Sequence, residues 1–166
     1  MSAEIPRSGK SGSAVNEEEI PAVIPLLYVD DEPDQLFLCK SFLEQTGYFQ
    51  VDTTDSPCRA LQMIRLVQYT VIVSDYQMPE MNGLEFLAEV GRNHGHLPLV
   101  LFTSRSREEV GNTEPDTRVD FYVQKTGNAR AQYTALGRVV MNAAASRQRE
   151  LPDQEPESGG IFPTDM

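Results

Sequence analysis

Apolar positions along this chain follow two rhythms, short runs that are continuous or alternate, and longer stretches that repeat every three to four residues. The run Ile24-Pro25-Leu26-Leu27-Tyr28-Val29 stops abruptly at Asp30-Asp31 and predicts a first strand. Pro33 suits the first turn of a helix whose apolar side is Leu36, Phe37, Cys39, Phe42 and Leu43, with Gly47 ending it. Phe49 to Thr53 alternates and predicts a second strand. Ser56-Pro57 then opens a second helix, with Ser56 as N-cap, running through Leu61, Ile64 and Leu66. Thr70-Val71-Ile72-Val73-Ser74 is a continuous, β-branched run, which predicts a central strand buried on both faces and ending at Asp75.

The same alternation continues to the far end. A third helix is predicted from Gly83 to about Gly91, and a fourth strand from Leu97 to Phe102, stopping at Thr103-Ser104. Ser106 to Gly111 supports only a short, weak helix, and Asp120 to Gln124 is a fifth strand followed by Lys125-Thr126. The last helix runs from about Ala129 to Arg149, with Tyr133, Leu136, Val139, Val140 and Ala143 at helical spacing. Five strands alternating with five helices predict an α/β fold, a doubly wound five-stranded parallel sheet with helices on both faces. Residues 1–22, rich in Ser, Gly and Glu, are read as a flexible lead; residues 23–149 are read as the single domain. Residues 150–166, rich in Pro, Glu and Gly, are read as a disordered tail. Gly9-Lys10-Ser11 looks like the end of a phosphate-binding loop, but position 4 is Glu where that loop needs Gly, and no strand precedes it.

Composition narrows the classes. Hydrophobic residues make up 40% and charged residues 23%, as in an ordinary globular domain. The 25 acidic and 14 basic residues leave a net charge of −11, which argues against direct nucleic-acid binding and suits a metal cation or a basic protein patch. No apolar run is long enough to span a bilayer, and the N-terminus lacks the apolar core of a secretory signal, so a cytoplasmic location is expected. Cys39 and Cys58, with no paired spacing, are read as packing residues, as are the aromatic and Met residues away from the strand ends. His94 and His96 flank Gly95 and are read as loop residues.

In an open parallel sheet, ligands sit beyond the carboxyl ends of the strands. Strand one ends in Asp30 and Asp31, strand three in Asp75, strand four in Thr103 and strand five in Lys125. Three carboxylates side by side need a cation to offset their repulsion, and Mg²⁺ pairs with a few carboxylates, waters and phosphate oxygens. Lys125 would add a second positive charge on a phosphoryl group arriving at a carboxylate nucleophile, and Thr103 a hydrogen-bond donor.

The Asp30-Asp31 pair, the segment Asp75-Tyr76-Gln77-Met78-Pro79-Glu80-Met81-Asn82-Gly83, the Thr103-Ser104 strand end and Lys125 together resemble the receiver domain of response regulators, over roughly residues 24–147. The resemblance implies the flavodoxin-like receiver fold and a phosphorylation-dependent switch in two-component signalling. Asp75 takes a phosphoryl group from a sensor histidine kinase or phosphotransfer protein. By the same resemblance, Asp30, Asp31, Asp75 and the backbone carbonyl of Gln77 would hold Mg²⁺. Thr103 moves toward the phosphoryl group, Tyr122 rotates inward with it, and the surface of the fourth helix, fifth strand and fifth helix is read by a downstream protein. The same resemblance places Gln77 and Arg105 beside the phosphoryl group, where they would tune its lifetime. Such a domain is no enzyme beyond its own phosphorylation and dephosphorylation.

Two departures stand out. Receiver domains usually follow the lysine with proline; here Thr126 follows, so a trans bond is expected, with Gly127 helping the turn. The segment from Arg105 to Arg118, with Gly111, Asn112 and Pro115, leaves the fourth helix short. The Gln124-Lys125-Thr126-Gly127 variant and the Arg-rich end of the last helix resemble receivers fused ahead of sensor modules in archaeal kinases. The chain is therefore read as a single-domain regulator or as a receiver module of a hybrid kinase, monomeric or weakly dimeric. Two alternatives fit the residues less well. A docking module that is never phosphorylated would typically lack one of the acidic pair, the acceptor or the lysine, all present here. An aspartyl-phosphate phosphatase of the haloacid-dehalogenase type would need a second Asp two residues after the nucleophile, where this chain has Gln77.

Overall fold

Alternate residues of each central strand point to opposite sides, and both sets are apolar, so the sheet is covered twice. In a computed structural model, which describes residues 23–111 and 118–150, five strands and five helices alternate as the pattern predicts. They are β1 (Ile24–Val29), α1 (Pro33–Gln45), β2 (Phe49–Thr54), α2 (Pro57–Leu66), β3 (Val71–Ser74), α3 (Gly83–Asn93), β4 (Leu99–Thr103), α4 (Arg107–Gly111), β5 (Phe121–Gln124) and α5 (Ala129–Glu150). All strand pairs are parallel, in the order β2-β1-β3-β4-β5. The lead read over residues 1–22 and the tail read from residue 150 lie outside the described residues, apart from Glu150 at the end of α5.

Leu26 and Tyr28 of β1, Val71 and Val73 of β3, and Val100 and Phe102 of β4 face α1 and α5, packing with Cys39, Leu43, Tyr133, Leu136 and Val140. Their neighbours Leu27, Val29, Ile72, Leu99 and Leu101 face the other way, against Ala60 and Ile64 of α2, Leu84, Phe86 and Leu87 of α3 and Val110 of α4. Ser56 caps α2 by accepting from the Arg59 N–H, and Asn82 with Glu85 forms a reciprocal capping box that starts α3.

Several residues expected in the core are outside it. Phe37 is 71% and Leu66 85% exposed, because each lies two residues, some 200° of helix rotation, from the buried positions Cys39 and Ile64. Tyr48 and Met141 are exposed too, one in the turn before β2 and the other on the outer side of α5. Cys39 is buried as expected, but Cys58 is exposed in the first turn of α2, beside Glu80. α3 continues two residues beyond Gly91, since the Val90 carbonyl still accepts from His94 N–H. The strand after Leu97-Pro98 pairs only from Leu99. Part of the segment after α4, residues 112–117, lies outside the described residues.

Candidate functional site

Because every strand runs the same way, the carboxyl ends of β1, β3, β4 and β5 open onto one rim, at the place where strand order reverses between β1 and β3. The site residues expected from strand ends all arrive there. Asp31, Asp75, Gln77, Thr103, Arg105 and Lys125 line one cleft, and Asp30 lies fully buried beneath it.

Asp30 is the best-anchored of the acids. Its Oδ1 accepts from the Glu32 N–H at 3.0 Å, and its Oδ2 accepts from Lys125 Nζ at 2.8 Å and from the Tyr28 hydroxyl. Lys125 also stands 3.4 Å from Oδ1 of Asp75, so one ammonium bridges the two carboxylates. Its side chain is 13% exposed and lies over the Phe102 ring, 5.2 Å from the centroid. Removing Lys125 would leave two buried carboxylates without compensation, at a cost of about 3–5 kcal/mol.

Asp75 follows β3 directly, and its N–H donates to the Val29 carbonyl at 2.9 Å, which ties Asp75 to the end of β1. Its carboxyl is mostly buried, and burial pushes it up to about 6; Lys125 opposes that shift and Asp30 adds to it. Asp31, partly exposed, completes a set of three carboxylates whose oxygens lie within 4.8 Å of one another. Oxygen donors alone, with negative charge in excess of Lys125, fit a hard divalent cation such as Mg²⁺.

Thr103 is buried at the end of β4, and its Oγ1 accepts from the Arg105 N–H at 3.2 Å. The Arg105 guanidinium covers the Tyr76 ring, 5.0 Å from its centroid, and approaches Gln77 Oε1 at 3.5 Å. Tyr122 does not line the cleft. It is half-buried in β5, and its hydroxyl donates to the Arg105 carbonyl. Gly83 closes the loop after Asp75: its N–H donates to the Tyr76 carbonyl, and a Cβ there would lie 1.9 Å from the Asp75 carbonyl oxygen.

Three contributors were not singled out from sequence. Tyr28 hydrogen-bonds Asp30 from within β1; Gln35 accepts from the Tyr133 hydroxyl at 3.0 Å; and Gln132 is buried with its Oε1 toward the loop after Lys125. A signal existed for two of them, as Tyr28 and Gln132 put polar atoms on otherwise apolar faces. The bonds before and after Thr126 are trans, as no described peptide bond is cis, and Gly127 makes the turn at φ +81°.

The chain matches the response regulator receiver domain family over residues 26–136. It is 31% identical over 105 residues to the response regulator SaeR of Staphylococcus aureus, a span of 63% of this chain and 45% of SaeR, so it corresponds to less than half the length of the curated relatives it matches. Among solved structures it is similar to a CheY-like receiver domain protein of Methanospirillum hungatei JF-1, with 22% identity, a TM-score of 0.67 and coverage of 77% of this chain and 98% of that one. It is also similar to the response regulator TrrA of Thermotoga maritima, solved in complex with Mg²⁺-BeF, with 26% identity, a TM-score of 0.60 and coverage of 70% and 99%.

Proposed function

This chain belongs to the response regulator receiver domain family, and on that premise we propose that it is a switch in which Asp75 accepts a phosphoryl group from a sensor histidine kinase or phosphotransfer protein. The observation that carries this reading is the Asp30-Asp31-Asp75 triad with the Lys125 ammonium bridging Asp30 and Asp75. A carboxylate oxygen of Asp75 attacks phosphorus, and the bond to the donor imidazole nitrogen breaks with its electron pair staying on nitrogen. Lys125 offsets charge on the incoming phosphoryl oxygens from its place beside Asp75, and the Thr103 hydroxyl donates to one of them. Asp30, Asp31, Asp75 and the Gln77 carbonyl would hold Mg²⁺, which when bound offsets the charge of the carboxylates and phosphoryl oxygens together.

The switch follows from two hydrogen bonds. Turning Thr103 Oγ1 toward a phosphoryl oxygen takes the acceptor from the Arg105 N–H, and the Arg105 carbonyl is the group that holds the Tyr122 hydroxyl. Tyr122 is released to turn inward, which alters the α4-β5-α5 face that a downstream protein reads. The domain acts as a single-domain regulator or as the receiver of a hybrid kinase.

The test is incubation with acetyl phosphate and Mg²⁺, followed by intact mass measurement beside Asp75→Asn. A Mg²⁺-dependent gain of one phosphoryl group, absent from the variant, is expected. No gain in the folded parent, or an equal gain in the variant, would overturn the assignment.

A further inference from the structure

The buried stripe of α5 carries one residue that does not belong to its chemistry. Tyr133, Leu136, Val140 and Ala143 pack into the core, and Gln132 beside them is a primary amide only 5% exposed. A buried amide on an apolar stripe is costly unless its polar atoms are used. Here Oε1 accepts two backbone donors at once, the Thr126 N–H at 3.1 Å and the Gly127 N–H at 3.3 Å. These are the two residues that follow Lys125.

Other bonds hold the two ends of this loop, with Asn128 Oδ1 capping α5 by accepting from the Ala131 N–H at 3.0 Å. The Lys125 N–H donates to the Thr103 carbonyl at 2.8 Å, Gly127 reverses the chain at positive φ, and α5 begins two residues later. Thr126 and Gly127 are themselves exposed, yet both turn their N–H groups inward to the buried amide. Bonding them to an amide fixed by burial sets where the backbone runs. Thr126 also matters chemically, because a proline at that position would have no N–H to give.

We propose that Gln132 is a positioning residue for phosphoryl transfer: it clamps the backbone just after Lys125, so that the ammonium stands between Asp30 and Asp75. The inference rests on the phosphoacceptor reading above. It assigns Gln132 no contact with the phosphoryl group, and all its effect passes through Lys125.

The experiment is a double-mutant cycle on phosphorylation rate, with acetyl phosphate and saturating Mg²⁺ and intact mass as readout. It compares the parent, Gln132→Met, Lys125→Ala and the double variant. Methionine keeps the length of the buried side chain and removes the acceptor. A misplacement of order 1 Å in a reacting group slows chemistry strongly, so Gln132→Met should be slower by about tenfold in the parent background. In the Lys125→Ala background the same substitution should change the rate less than about twofold, because the group it positions is gone. A merely structural role would slow both backgrounds by the same factor, and that result overturns the proposal, as does a Gln132→Met rate equal to the parent's. Amide exchange in the unmutated protein gives a second test that no folding defect can spoil. Thr126 and Gly127 N–H should exchange at least about tenfold slower than unprotected loop amides despite their exposure; exchange at the unprotected rate overturns the clamp. If the parent takes no phosphoryl group, the phosphoacceptor reading falls and this inference with it, whereas a phosphorylated parent with an indifferent Gln132 removes the inference alone.

Discussion

Replacing Gly83 by alanine sets two physical effects against each other at the point where α3 meets the segment that follows Asp75. Gly83 is the first residue of α3, and in a helix alanine is favoured over glycine by about 0.5–1 kcal/mol. Sterics say the opposite. A Cβ at this position would lie 1.9 Å from the Asp75 carbonyl oxygen, 2.9 Å from the Asp75 carbonyl carbon and 3.0 Å from the Tyr76 Cα. All three are backbone atoms, so no side chain can swing aside. Asp75 is also held in place, its N–H on the Val29 carbonyl at 2.9 Å and its carbonyl accepting from Ser74 Oγ at 2.8 Å. The contact has to open by more than about 1 Å, in a molecule packed too tightly to yield for free. Overpacking of this kind typically costs about 1–3 kcal/mol, and with backbone on both sides the upper end applies. The net expectation is a loss of about 2 kcal/mol, which lowers a urea midpoint by about 1 M at an m-value near 2 kcal/mol/M. On the proposed function, phosphorylation of Asp75 by acetyl phosphate should slow by at least about tenfold, since its carboxyl moves with its carbonyl. The assay is urea unfolding of parent and variant, paired with phosphorylation rate. A Gly83→Ala protein as stable as its parent, or more stable, would refute the steric argument and leave helix propensity in charge.

Two further outcomes follow from the same coordinates. In EDTA, Asp75→Asn should gain stability over the parent as pH rises. The parent's carboxyl is pushed up to about 6 in the fold, against an ordinary value of 3.8. A raised carboxyl favours the folded state below the lower value, and that advantage is lost as pH rises through the higher one. The two proteins should therefore match near pH 4 and differ by about 1–3 kcal/mol at pH 8 by denaturant titration; a difference that grows toward acid pH would reverse the sign. At the sheet edge, Glu44 Oε1 accepts the Val51 N–H at 3.0 Å, and Lys40 donates to the Val51 carbonyl at 2.7 Å, so this ion pair occupies backbone groups on the open side of β2. Glu44→Ala should cost about 1 kcal/mol and speed exchange of the Val51 amide, and unchanged exchange would show that the edge is not guarded by this pair.

Much of this molecule was legible along the chain. Alternating apolar periods give the ten elements in order, and a parallel sheet obliges strand ends to share one rim, so the chain alone gathers Asp30, Asp31, Asp75, Thr103 and Lys125 there. These are local signals, readable within about ten residues, combined with one rule of topology. Periodicity overstates the buried side of α1 and α2. Phe37 and Leu66 are apolar and lie in helices, yet 100° per residue carries each to the far side.

What only the tertiary structure decided are relations between residues far apart in the chain. Lys125 and Asp30 are 95 residues apart and meet at 2.8 Å; Tyr28 turns out to share that carboxylate; and Gln132 reaches back to the loop that carries the lysine. Composition and spacing fix which groups reach the rim, because strand direction is a property of the whole sheet. They do not fix which oxygen meets which donor, because that depends on side-chain packing to within an ångström, and packing is settled only when both cores close around the sheet.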